Sequence, residues 1–173
     1  MTFLLRKIRK NRWYKTEPID WLLDGELQAD PLGDLATKSN ELSVYHVVAD
    51  ESNLDRIIAS LAVNVEQLSH VDFAIFDEKI ISDVGIKMKE SEGDLPDEQV
   101  NKWHSDLYEI SAVKLLTLAK EINDKAKIER RSFMQVLNMV ANSLNNNYFD
   151  RSRIKWTSQT DLDKLDKLLA GRP

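Results

Sequence analysis

The 173-residue chain has no cysteine, which excludes disulfide frameworks, thiolate zinc sites, iron–sulfur clusters and cysteine nucleophiles together. Glycine occurs only five times and proline four. Neither G-x-x-x-x-G-K-[ST] nor G-x-G-x-x-G is present, so nucleotide binding through those loops is excluded. No apolar run reaches the roughly 18–20 residues that a membrane-spanning helix needs. The opening Met1-Thr2-Phe3-Leu4-Leu5 is too short for a secretory apolar region and precedes its positive charges instead of following them. With the lack of cysteine, these features lead to the expectation of a cytoplasmic protein.

Histidine is scarce as well. His46, His70 and His104 are far apart and form no H-x-x-x-H or H-E-x-x-H, so neither a metal nor a cofactor is expected. Asp30 and Asp34 flank a Pro31–Gly33 loop without matching an EF-hand spacing.

Charge is abundant and unevenly spread. The net charge is −5, but residues 1–15 hold six basic and no acidic residues. Residues 16–110 hold 6 basic against 22 acidic, and residues 111–173 hold 12 basic against 7 acidic. The first segment reads as a basic N-terminal arm and residues 16–173 as one domain, a size that buries a core without a metal or disulfide staple.

Along that domain, Ile19–Gly25 reads as a short helix or turn. Leu42–Val48 is rich in β-branched and aromatic residues, as a strand requires. Ser52 is a candidate N-cap for a helix whose Leu54, Ile57, Ile58, Leu61, Ala62 and Val65 fall on one face. Val71–Phe76 is a second strand, and a strand, helix and strand this close together predict a βαβ crossover with parallel strands. Asp77 opens a brief helix ended by Gly85, Ile86–Lys89 reads as an edge strand, and Glu90–Pro96 as an acidic linker. Asp97–Ile122 lacks internal glycine and proline and reads as one helix. Ser132 with Gln135 forms a capping box before the stripe Phe133, Val136, Leu137, Val140 and Leu144, which Asn145–Asn147 end. Arg151–Trp156 is expected to be extended, and Thr160 to cap a last helix. The fold class is therefore α/β (or α+β): a small, partly parallel sheet around a βαβ unit, packed by a helical C-terminal half.

Three functions compete. The first is a binding or regulatory protein acting through a protein partner or self-association. Trp13, Trp21, Trp103 and Trp156 sit mostly in charged contexts, and aromatics of that kind are enriched at interface cores. The second is nucleic-acid binding. Arg6, Lys7, Arg9, Lys10, Arg12 and Lys15 would neutralise phosphates while Trp13 and Tyr14 stack on bases. Lys125, Lys127, Arg130 and Arg131, and then Arg151, Arg153, Lys155 and Trp156, would enlarge that surface. The same cations could instead lie over the chain's own acidic middle, an acidic protein or an anionic membrane surface. The third function is an enzyme with its site at the C-terminal ends of the parallel strands, from His46, Asp50, Glu51 and Asp77. The turn Ala49–Asn53 has no glycine and two carboxylates, which repels phosphate. Ser43, His46 and Asp72 are the nearest approach to a nucleophile–base–acid set, but Ser43 and His46 fall on opposite faces of their strand. A non-enzymatic role is therefore expected.

Overall fold

In Phe3–Ile8, Leu4 and Ile8 point to one side and Phe3 and Leu5 to the other, a pattern that a strand can use only when both its faces are covered. This segment is strand β1, in the interior of a sheet. The computed structural model describes residues 2–13 and 26–171; the turn expected at Ile19–Gly25, with Tyr14, Lys15 and Trp21, lies outside the described residues. After β1 come α1 (Lys10–Trp13), β2 (Leu42–Val47), α2 (Leu54–Val63), β3 (Val71–Asp77), α3 (Lys79–Asp83) and β4 (Lys87–Glu90). They are followed by α4 (Glu98–Asn101), β5 (His104–Tyr108), α5 (Ala112–Lys125), β6 (Lys127–Arg131), α6 (Phe133–Asn145) and α7 (Gln159–Ala170). Short 3-10 turns occupy Asp30–Leu35 and Arg151–Arg153.

The sheet order is β4-β5-β2-β1-β3-β6, and every neighbouring pair is antiparallel. This overturns the partly parallel sheet. The β2-α2-β3 unit exists, and β2 and β3 run in the same direction because each is antiparallel to β1. They are not neighbours: Leu4 faces His46 on one side and Phe76 on the other, and Leu5 faces Tyr45 and Ile75. The expected parallel ladder is thus split by a strand contributed from the basic N-terminal segment. The fold is α+β.

Both faces of the sheet are covered. On one, Leu5, Tyr45, Val47, Phe73 and Ile75 pack under α2, α6 and α7. On the other, Leu4, Val44, Ala74, Phe76 and Leu107 pack under α3 and α5 with Trp13 and Leu35. The single helix expected over Asp97–Ile122 is instead α4, β5 and the first part of α5. His104, Asp106 and Tyr108 alternate with Ser105 and Leu107, a period of two that the lack of glycine and proline hid. Ser111 then caps α5 by accepting from the Lys114 N–H, and α5 continues through Asn123 and Asp124. Strand β6, Lys-Ile-Glu-Arg-Arg, has one aliphatic residue and reads as charge rather than strand. Ser158, not Thr160, caps α7, and the capping box at Ser132 and Gln135 is present.

Ile58, 0% exposed, packs against the sheet, Leu61 is half-buried, and Lys102 is exposed. Ile58→Ala is expected to cost ~2–5 kcal/mol through lost burial and an incompletely closed cavity, and Lys102→Ala under ~0.5 kcal/mol. Leu5→Ala should fall in the Ile58 range, about 2–5 kcal/mol, whereas on a solvated arm it would cost nothing. Urea midpoints of the three variants check this.

Candidate functional site

Two carboxylates hold the N-terminal segment, mainly through backbone N–H groups, and Arg12 adds an ion pair to Asp34. Asp34 accepts from the Arg9 N–H (2.8 Å), the Trp13 indole N–H (3.0 Å) and Arg12 Nη1 (3.2 Å). Its backbone carbonyl accepts from Arg6 Nε and Nη2, and Arg6 Nη1 donates to the Ser43 carbonyl at 2.9 Å. Asp72 is 4% exposed and accepts from the Lys10 N–H at 2.8 Å and from Arg130 Nε and Nη2 at 2.6 and 2.9 Å. Burial alone would raise its pKa; the Arg130 and Lys10 donors, with His70 nearby, outweigh burial and hold the carboxyl below its ordinary range. Lys7 is exposed at the surface of β1, and its amine is lowered by desolvation and by the Arg6 and Arg9 charges.

The second basic cluster is paired, and the third through Arg151. Lys125 meets Glu121, Lys127 meets Glu51 and Glu129, Arg131 meets Glu129, and Arg151 meets Asp166. Trp156 is buried, with its indole N–H on the Ala62 carbonyl at 2.9 Å, and Trp13 is buried over Asp34. Arg153 and Lys155 are exposed. The first two clusters adjoin at Asp72, which accepts from both the Lys10 N–H and Arg130, whereas the third lies on the segment that joins α6 to α7.

The candidate catalytic residues are not gathered. His46 is half-buried, with Nε2 2.9 Å from Ser105 Oγ. Asp50 accepts from the Ser52 N–H, which lowers its carboxyl; Glu51, at φ 56°, pairs with Lys127. Asp77 accepts from the Lys79 N–H and lines a separate hollow with Thr2, Ile86 and Met88. Because β1 intervenes, the ends of β2 and β3 lie two strand spacings apart, about 9–10 Å. Ser43 donates to Asp106, away from both His46 and Asp72. His104 is buried with Nδ1 2.9 Å from Ser91 Oγ and 3.2 Å from the Ser91 carbonyl, and its ring stands edge-on to Tyr45. Burial, with Asp94 and Asp106, pushes the Tyr45 phenol up to about 12, so it stays protonated. This cluster ties the 91–96 loop to β5, where a Cβ on Gly93 would come within 2.7 Å of Asn101 Oδ1. Among the described residues no group of three His, Asp or Glu side chains could hold a metal.

One constellation was not anticipated. Arg56, in the first turn of α2, donates from Nε and Nη2 to Asp97 at 2.5 and 2.8 Å. Asp97 is 0% exposed and also caps α4 through the Gln99 and Val100 N–H groups, so four donors satisfy the buried carboxylate. The guanidinium lies 3.8 Å from the Tyr148 ring centre and 5.7 Å from that of Trp103. Tyr148 reaches it through a left-handed turn at Asn147 (φ 55°), where the Tyr148 N–H bonds back to the Ser143 carbonyl and closes α6. Asn53 leaves the α2 N-terminus uncapped; its side chain instead ties the Val48 N–H and the His46 carbonyl to the start of the helix. Two adjoining hollows of about 390 and 420 Å³ share Arg56 and Tyr148. The first is lined also by Val48, Trp103 and Met139, the second by Lys102 and Arg153. Positions 56, 97, 103 and 148 have no common spacing, and only Asp97, as a helix start, and Trp103 carried a sequence signal.

Comparison with known proteins finds no family model, no curated protein and no solved structure that matches the chain.

The Asp72 clamp sets a pH dependence. A carboxyl held below its unfolded value stabilises the fold above the unfolded pKa and loses that contribution as pH falls through the folded pKa. Asp72→Asn should therefore lower the unfolding free energy at pH 7, read from urea titration, by about 1–3 kcal/mol for the lost charged hydrogen bonds. The gap to wild type should shrink as pH drops below 4. A gap that stays constant from pH 7 to pH 3 would contradict the clamp.

Proposed function

We propose that the chain is a binding protein that docks another protein chain, a partner or a second copy, over the cleft around Arg56. The observation that carries this reading is an arginine stacked on Tyr148 and Trp103 at the junction of two hollows. Arg, Tyr and Trp are the residues that most often dominate binding energy at interface centres. Val48 and Tyr148 are the large apolar side chains left 44% and 38% exposed beside it, and Met139 supplies a surface that adapts to what it meets. Asp97 already holds Arg56 in place, so less side-chain entropy is lost when a partner arrives. Arg12, Lys125, Lys127, Arg130, Arg131 and Arg151 already pair with the chain's own carboxylates, and a phosphate backbone would have to displace those partners, which favours this reading over nucleic acid.

A photo-crosslinking side chain at position 148 tests it in the native host, with position 113 as control. Val113 is 75% exposed on α5, which packs on the opposite face of the sheet. A discrete adduct is expected from 148 and not from 113; an adduct of twice 19.9 kDa identifies a second copy, and another mass a different partner. The same adducts from both positions, or none from 148, would refute the docking face.

A further inference from the structure

We infer that the Arg56 cleft recognises a carboxylate carried beside an apolar side chain on the docked polypeptide. The inference deepens the docking reading and rests on it only for the chain to which the carboxylate belongs. A guanidinium offers five N–H donors on two usable edges. Asp97 takes the Nε/Nη2 edge of Arg56. The end-on edge remains: Nη1 has no acceptor among the described residues, and Nη2 keeps a second hydrogen. Arg56 is thus held rigid by one carboxylate while presenting a planar fork to another, the geometry in which Arg–carboxylate pairs are bidentate. Its side chain is about one quarter exposed (24%), and the Tyr148 ring screens one face of it from water, which strengthens a hydrogen bond made at the open edge.

The rest of the cleft defines the neighbouring group. The 390 Å³ hollow next to Arg56 is lined by Val48, Trp103, Met139 and Tyr148 and suits one aliphatic or aromatic side chain. Charge selects against a phosphate. Asp55 lines this hollow, the adjoining one sets Glu98 and Asp150 against Lys102 and Arg153, and Asp97 already neutralises Arg56, so the cleft carries no excess of positive charge. A dianion would therefore meet more repulsion than a carboxylate and gain no better geometry.

Titration of the full chain, followed by the side-chain N–H resonances of Arg56 and the Val48 amide, tests this with N-acetyl-leucine. Its amide serves as a neutral twin and inorganic phosphate as a second control. The acid is expected to bind at least about 10-fold more tightly than the amide, the value of one charge-assisted hydrogen bond, and to shift the Arg56 Nη1 protons. Arg56→Lys keeps a cation against Asp97 but has no second edge, and should bring the acid down to the affinity of the amide. Equal binding of acid and amide, tighter binding of phosphate, unchanged affinity in Arg56→Lys, or no shift from the acid would each overturn the inference. Should Arg56→Lys fail to fold, the acid-specific shift at Arg56 in the wild-type chain decides alone. A 148 adduct together with equal binding of acid and amide would leave the docking face standing and remove the carboxylate.

Discussion

A strand that carries Arg6 and Lys7 can lie at the centre of a sheet only if each cation finds an acceptor or an opening to water. In β1, Arg6 finds the Asp34 and Ser43 carbonyls and Lys7 opens to water, while the carboxylates of Asp34 and Asp72 anchor the turn that follows. Asp34 collects Arg9, Arg12 and Trp13 and, through its carbonyl, Arg6. Asp72 collects Lys10 and, from the far edge, Arg130. Everything else in the architecture follows from β1 being held there. It separates β2 from β3, gives each an antiparallel neighbour, and sets the width that α2 must cross. Because β1 has apolar residues on both faces, helices must cover both sides.

The parts of the fold that the sequence disclosed are those with a clear apolar pattern, helped at α6 by its capping box. The α2 stripe, the α6 capping box and stripe, β2, β3 and the Gly85 turn are of this kind. The Ser52 cap expected for α2 is not formed, and Asn53 at the cap position ties back to β2 instead. What the sequence concealed were strands whose composition signals something else. Phe3–Ile8 has its apolar alternation interrupted by two cations, β6 is four-fifths charged, and β5 is a five-residue alternation between two helices. In each case tertiary pairing overrides weak local preference. The ladder partners Glu129 and Phe73, or Asp106 and Ser43, lie 56 and 63 positions apart, beyond the reach of any local window.

The candidate site shows the same limit more sharply. Asp97 was visible as a helix start, and Trp103 as an aromatic in a charged setting. Arg56 lay on the face of α2 away from the apolar stripe, where an arginine signals only solvent. Its meaning comes from Asp97, 41 positions away, and from Tyr148, which the left-handed Asn147 turns back over α2. The described tryptophans divide along similar lines: Trp13 and Trp156 are buried with satisfied N–H groups, while Trp103 is half-buried against the core beside Arg56.

The central place of β1 has a consequence for the order in which the chain is made. β1 leaves the ribosome before the strands on either side of it, and its β3 partners follow 64 to 74 residues later, from Ile8 with Asp72 to Phe3 with Asp77. Its β2 partners come sooner, 40 to 44 residues later, from Leu5 with Tyr45 to Phe3 with Val47. At ordinary synthesis rates Phe3-Leu4-Leu5 therefore wait roughly 2–9 s for a first ladder, and Ile8 roughly 3–13 s for Asp72. Arg6 and Lys7 divide that apolar stretch and act as gatekeepers against pairing with other nascent chains. The two cations that look out of place in the interior of the finished sheet are what keep its first strand soluble until the sheet exists.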